Sequence, residues 1–128
     1  GTERRRSEIR RNRMIPTAFK EALVDVSADD DLSLEVDLGG NFEFLTVLVP
    51  TITSSTVTVR VSDRSGGTFY PLYRLDDDAT GDFVDATTAA VTSKAVIFRI
   101  GGVQFIKIAC GSAQAADRSF LVRGYNRG

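Results

Sequence analysis

The chain of 128 residues is 42% hydrophobic and 26% charged, with one cysteine, no histidine and a formal net charge of −1. That length and balance suit one domain able to bury a core without staples. The lone Cys110 excludes an internal disulfide and suits a reducing compartment. The missing histidine removes the commonest general base and neutral metal ligand, and no apolar run approaches the about 18 residues of a membrane helix.

The small net charge hides a division. Residues 1–20 hold seven basic side chains (Arg4, Arg5, Arg6, Arg10, Arg11, Arg13 and Lys20) against Glu3 and Glu8, a sum of +5, while the remainder sums to −6. The chain therefore reads as a basic, extended N-terminal arm over 1–20 and a domain over 21–128. Within residues 1–13 only Ile9 is large and apolar, so a helix there has no stripe to bury. Like-charge crowding opposes compaction, and the arm is expected to order only against a partner. Its basic start is not followed by the apolar stretch of a signal peptide.

Beyond Pro16 the pattern is that of strands. Residues 22–26 form a first candidate, and the turn formers SADDD follow. Leu32, Leu34, Val36 and Leu38 alternate with polar residues, the two-residue period of a half-buried strand. Gly39-Gly40-Asn41 predicts a turn into residues 42–49 (FEFLTVLV), apolar on both faces and so a central strand. Pro50 ends that strand, because proline cannot donate to a ladder.

Residues 56–73 (TVTVRVSDRSGGTFYPLY) predict the hairpin that organises the domain. Val57, Val59 and Val61 take one face, and Gly66-Gly67 supply the turn. After the polar run 76–81 and a weak strand within 82–91, residues 95–100 read as a strand, Gly101-Gly102 as a break, and 103–110 and 119–125 as the last strands. Phe105 and Lys107 share one face of 103–110, with Ile106, Ile108 and Cys110 on the other. Eight or nine short strands without a helix predict an all-β fold, a sandwich or barrel, of which an antiparallel β-sandwich is preferred.

Catalytic chemistry finds little support, and no enzyme is expected. Cys110 lies on an apolar strand face, where an inert buried thiol is the expectation. The serines lack a base to activate them. Asp76, Asp78, Thr80 and Gly81 match the first half of a calcium loop, but Thr87 stands where a bidentate glutamate is needed, so a solvated turn is preferred. Asp29, Asp30 and Asp31 show no ligand spacing. Tyr70, Tyr73 and Tyr125 are weighed as a sugar-stacking platform against a structural role at the core's rim, which is favoured. No cofactor or metal is expected.

The candidate binding residues are Arg4, Arg5, Arg6, Arg10, Arg11 and Arg13, whose planar forks suit carboxylate or phosphate. Nucleic acid and an acidic protein surface compete as partners, against a merely solvated tail. Residues 1–18 contain no aromatic ring for base stacking, which disfavours nucleic acid.

The ordered series DLSLEVDLGG, FLTVLVP, VTVRVSDRSGGTFYPLY and VQFIKIACGSAQAADRSFLVRG resembles small β-sandwich structural proteins of tailed bacteriophages. The resemblance spans residues 30–125. It is carried by Ser62, Gly66, Gly67, Thr68, Phe69, Leu72 and Tyr73, then by Phe105, Lys107, Ile108, Gly111, Asp117, Arg118 and Phe120. It implies a jelly-roll-like sandwich and a virion structural protein of the capsid decoration (cement) kind. Such a protein is made in the host cytoplasm and binds the major capsid protein on the shell, beside neighbouring copies or as a homo-oligomer, with no membrane partner. The arm would be the tether. A neck or tail-completion protein and a non-catalytic carbohydrate-binding module stand as alternatives.

Overall fold

The computed structural model describes residues 18–75, 83–85, 87–88 and 90–127. The six candidate arginines of the arm and the acidic run at 76–82 lie outside the described residues.

Among the described residues every regular element is a strand: β1 (Lys20–Val24), β2 (Val36–Val49), β3 (Val57–Ser62), β4 (Tyr70–Pro71), β5 (Tyr73–Leu75), β6 (Phe83–Asp85), β7 (Lys94–Cys110) and β8 (Arg118–Tyr125). Six form one antiparallel sheet in the order β1-β8-β2-β7-β3-β4, and β5-β6 make a separate ribbon. Lys20, counted with the arm for its charge, opens β1 opposite Val122.

Two strands dominate. β2 runs for 14 residues and β7 for 17, against the roughly 5–6 common in globular proteins. Their length lets each serve two parts of the sheet. The end of β2 (residues 44–49) pairs with β7 on one side and β8 on the other. The second half of β7 pairs with β3 on one side, Val57 to Ser62 matching Cys110 to Phe105, and keeps Val36 and Asp37 of β2 opposite Ile106 and Phe105 on the other.

Between these parts the ladder slips, with register shifts from Asp37 through Phe42 to Phe44. Gly39, Gly101 and Gly102 sit there at φ of 85°, 79° and 87°, a backbone that a Cβ would strain. Asp37 straps the bend. Its carboxylate accepts the Gly39 N–H at 2.8 Å and the Gln104 Nε2–H at 2.9 Å from the opposite strand. Those bonds hold the carboxyl below its ordinary range, the Gln104 contribution being the larger.

Here the glycine pairs depart from their sequence reading. Gly39-Gly40 and Gly101-Gly102 do not reverse the chain. They are bulges that let two continuous strands bend.

Beyond the bend the sheet curls over. The Ser33 N–H donates to Ile108 O and the Leu34 N–H to Leu23 O, each at 2.8 Å. Residues 32–34 thereby lie between β7 and the outer side of β1. The two halves of the folded sheet face one core, in which Leu45, Val47, Val57, Ile106, Ile108 and Phe120 are fully buried. The all-β antiparallel class is as the strand pattern predicts, and the folded-over sheet is consistent with a small sandwich.

Two further expectations change. In residues 32–38 the alternation holds only from Val36 onward. Leu34 is 48% exposed, while Ser33 is buried because its hydroxyl accepts the Ile108 N–H at 2.8 Å and donates to Leu34 O at 2.9 Å. The hairpin of 56–73 exists, yet it is an edge element, with Arg60↔Pro71 and Val61↔Tyr70 its paired positions. The β2–β7 pair is the organiser.

The residues behind the phage resemblance have structural duties. Phe120 is core, the Asp117 carboxylate accepts the Val26 N–H at 3.0 Å, and Lys107 caps the Phe69 ring at 4.8 Å. Arg118 donates to the carbonyl of buried Gln114, whose amide in turn spans Thr53 and Ser112. That clasp ties the loop after β7 to the loop after β2.

Gly124 in β8 is a close-approach site, because a Cβ there would fall inside contact distance of the Phe42 ring. Gly124→Ala is expected to destabilise the domain by about 1–3 kcal/mol through overpacking. Adding Phe42→Ala should cost less than the sum of the two single changes. Urea unfolding of the four proteins tests this; additive losses would contradict the packing.

The Asp37 strap sets a pH dependence. A carboxyl depressed on folding stabilises above its unfolded pKa, near 3.8, and that stabilisation is lost as pH falls through the folded value. Wild type should therefore exceed Asp37→Asn in stability at neutral pH, and the gap should close in acid. A gap that stays constant would show that the carboxylate is not the strap.

Candidate partner-binding surface

Period-two alternation gives each strand an outward face, and register decides which outward residues become neighbours. On the sheet half formed by β1, β8, β2 and the start of β7, the outward positions assemble in rows. Tyr125, Phe44 and Arg99 form one row; Arg123, Thr46 and Ile97 the next; Glu21, Leu121, Leu48 and Ala95 a third. Phe19, just before β1, completes the middle row by lying under Arg123, with the guanidinium carbon 5.1 Å from the ring centroid.

Cations and rings interleave on this face. Phe44 and Tyr125 stack with centroids 5.3 Å apart at 19°, and Arg127 lies over Phe44 at 5.6 Å. Guanidinium on a ring gains cation–π attraction and is fixed in plane while its N–H edges stay available. Arg99 meets Glu43 at 3.3 Å with its side chain 77% exposed, a pair of little energetic weight in water. The buried Nε of Arg123 has no hydrogen-bond partner among the described residues.

Between these groups lies exposed aliphatic surface. Ile97 is 63% exposed and Leu121 is 41% exposed. Among the described residues the outward positions on these four strands include no lysine. Arginine and aromatic side chains around an apolar centre, with lysine absent, is the composition of protein-binding patches.

Phe19 packs under Arg123 just before β1 begins. The six arginines singled out by sequence are thus continuous in the chain with an arginine-bearing surface. Sequence reasoning missed Phe19, Ile97, Leu121 and Arg123. The one local signal was that residues 42–49 are apolar on both faces and that Leu121 breaks the polar face of the last strand.

The other candidates resolve differently. The three tyrosines do not make one platform: Tyr70 is on β4 and Tyr125 on β8, with three strands between them in the sheet. Tyr70 lines a groove of about 690 Å³ beside the Ser62–Tyr70 turn, together with Val61, Arg64 and Thr68. In that turn Glu35 accepts the Gly66 N–H and the Ser65 hydroxyl, both at 2.6 Å, which lowers its carboxyl pKa, the Gly66 bond most of all.

Asp29, Asp30 and Asp31 come together, with carboxylate oxygens within 4.8 Å of one another. Hydrogen bonding between Asp29 and Asp31 lowers the first carboxyl and raises the second. Their approach follows from local turn bonds, the Asp29 N–H donating to Asp25 O at 2.9 Å and the Asp31 N–H to Asp29 Oδ1 at 3.3 Å. The half-matched calcium spacing at 76–81 falls outside the described residues.

No protein-family model and no curated protein matches this chain. Among solved structures it is similar to the crystal structure of the SPBc2 prophage-derived protein YomS, at 16% identity over 82% of this chain and 83% of that chain, with a TM-score of 0.46.

Cys110 is buried at the end of β7, and burial, with a smaller contribution from Asp31, pushes its thiol up to about 11. The native protein should therefore react with a disulfide reagent at pH 8 far more slowly than the urea-unfolded chain. Equal rates would show that the end of β7 opens readily.

Proposed function

We propose that this protein is a virion structural protein of a tailed bacteriophage. In this reading it is a capsid decoration protein that binds the assembled shell of major capsid protein and uses residues 1–20 as a tether. The observation that carries it is charge segregation. An arm of +5 precedes a domain of −6, and the arm is rooted at Phe19 against Arg123, beside an exposed apolar and arginine-bearing face. The tailed-phage resemblance of the 62–73 hairpin and the 105–120 strand pair points the same way.

The mechanism is linkage. A protein that binds one state of a lattice and not another lowers the free energy of the first by mass action, and many copies act together. The compact β domain supplies a preformed body, while the arm adds area and screened attraction and orders as it binds. No catalytic residue and no cofactor enters this account. The protein acts on the virion surface, beside further copies of itself.

Deleting residues 1–14 should weaken binding to expanded capsid shells by roughly tenfold or more, about 1.4 kcal/mol, and leave the thermal midpoint of the domain unchanged. Added salt should weaken the full-length protein and have less effect on the deletion. Co-sedimentation with purified shells measures both, and equal occupancy by the two proteins would contradict the tether.

A further inference from the structure

We infer that the outward face of β1, β8, β2 and the start of β7 is where the domain itself docks, and that its occupant is a protein surface with an apolar centre and an acidic rim. This deepens the reading above and rests on it, the occupant being the shell protein.

Ile97 and Leu121 are exposed aliphatic residues on neighbouring rows, and an apolar area of this kind is a binding element when polar groups surround it. Around it stand Arg99, Arg123 and Arg127, two of them held over aromatic rings. Among the described residues neither Arg123 nor Arg127 forms an ion pair, and the Nε of Arg123 is buried without a partner. Opposing charge comes from Glu43, engaged by Arg99, and from Glu21, which accepts the Ser119 hydroxyl at 2.6 Å. The face is net cationic, three arginines against two glutamates, and the sequence preceding Phe19 holds six further arginines. Its complement is anionic at the rim and apolar at the centre.

The other occupants fit less well. Single-stranded nucleic acid stacks bases on open rings. Here Arg123 lies over Phe19, which stays 40% exposed, and Phe44 is stacked on Tyr125 with Arg127 over it, so each ring already carries a partner and the most exposed apolar side chain of the face is the aliphatic Ile97. A second copy bound face to face would set one cationic surface against the other, because an isologous contact pairs each patch with itself.

The test uses full-length protein with three exposed substitutions: Ile97→Glu and Arg99→Glu on the face, and Tyr70→Ser on β4 as a control. Thermal unfolding checks that each folds. Binding to expanded capsid shells is measured by co-sedimentation, binding to labelled oligothymidylate by anisotropy, and self-association by sedimentation equilibrium. Both face variants should bind shells at least about tenfold more weakly than wild type, with Tyr70→Ser unchanged. If wild type binds shells and the face variants bind equally well, the docking face is wrong and the decoration reading survives. If wild type does not bind shells at all, that reading fails and this inference with it. Oligothymidylate binding lost in the face variants would overturn the protein partner in favour of nucleic acid. A dimer of the free protein lost in Ile97→Glu would overturn it in favour of a second copy.

Discussion

Everything in this fold leans on the antiparallel pairing of β2 with β7. Two long strands bend together at Gly39–Phe42 and Gly101–Gly102, and that shared bend turns one sheet into two facing halves around a single core. A strand pair this long is stable only if its register is fixed on both sides of the bulge. The buried faces on either side, Leu45 and Val47 on one and Ile106 and Ile108 on the other, fix the register by excluding any slip that would expose them. Asp37, bonded to Gly39 on its own strand and to Gln104 opposite, holds the two bulges in step. β8 and β3 pair with the outer sides of this strand pair, and β1 pairs with β8.

Strand identity was legible because a half-buried strand writes its period into the chain. Val57, Val59 and the last strand's Phe120 and Val122 sit buried as alternation predicts. What the pattern could not convey is partnership. A glycine pair between two apolar runs looks the same whether the chain reverses or bends, and the deciding contact, Asp37 with Gln104, joins residues 67 apart. For the same reason the 56–73 hairpin looked central. Its turn chemistry is strong and local, but β3 takes most of its pairing from β7. Ser33 replaced Leu34 in the interior because its hydroxyl bonds a β7 amide, a long-range partner that no local period encodes.

The binding surface divides along the same line. The arm's arginines announce themselves by composition. The sheet face does not, because its rows exist only after register sets Thr46 between Ile97 and Arg123, three segments far apart in sequence. Period two hides such a surface. Phe44, Leu48 and Leu121 read locally as extra core residues, and only the position of the core on the other side of the sheet turns them outward. One half of the sheet presents arginine, aromatic and aliphatic groups, and the cationic segment precedes it in the chain. Burial and charge attraction would act on the same partner.

The most direct measurement is a cryo-electron microscopy reconstruction of expanded capsid shells saturated with the full-length protein. The account predicts density in which the outward face of β1, β8, β2 and β7 lies against the shell, the arm runs over it from Phe19, and the β3–β4 edge points to solvent. The reverse orientation, or a shell without added density, would contradict it.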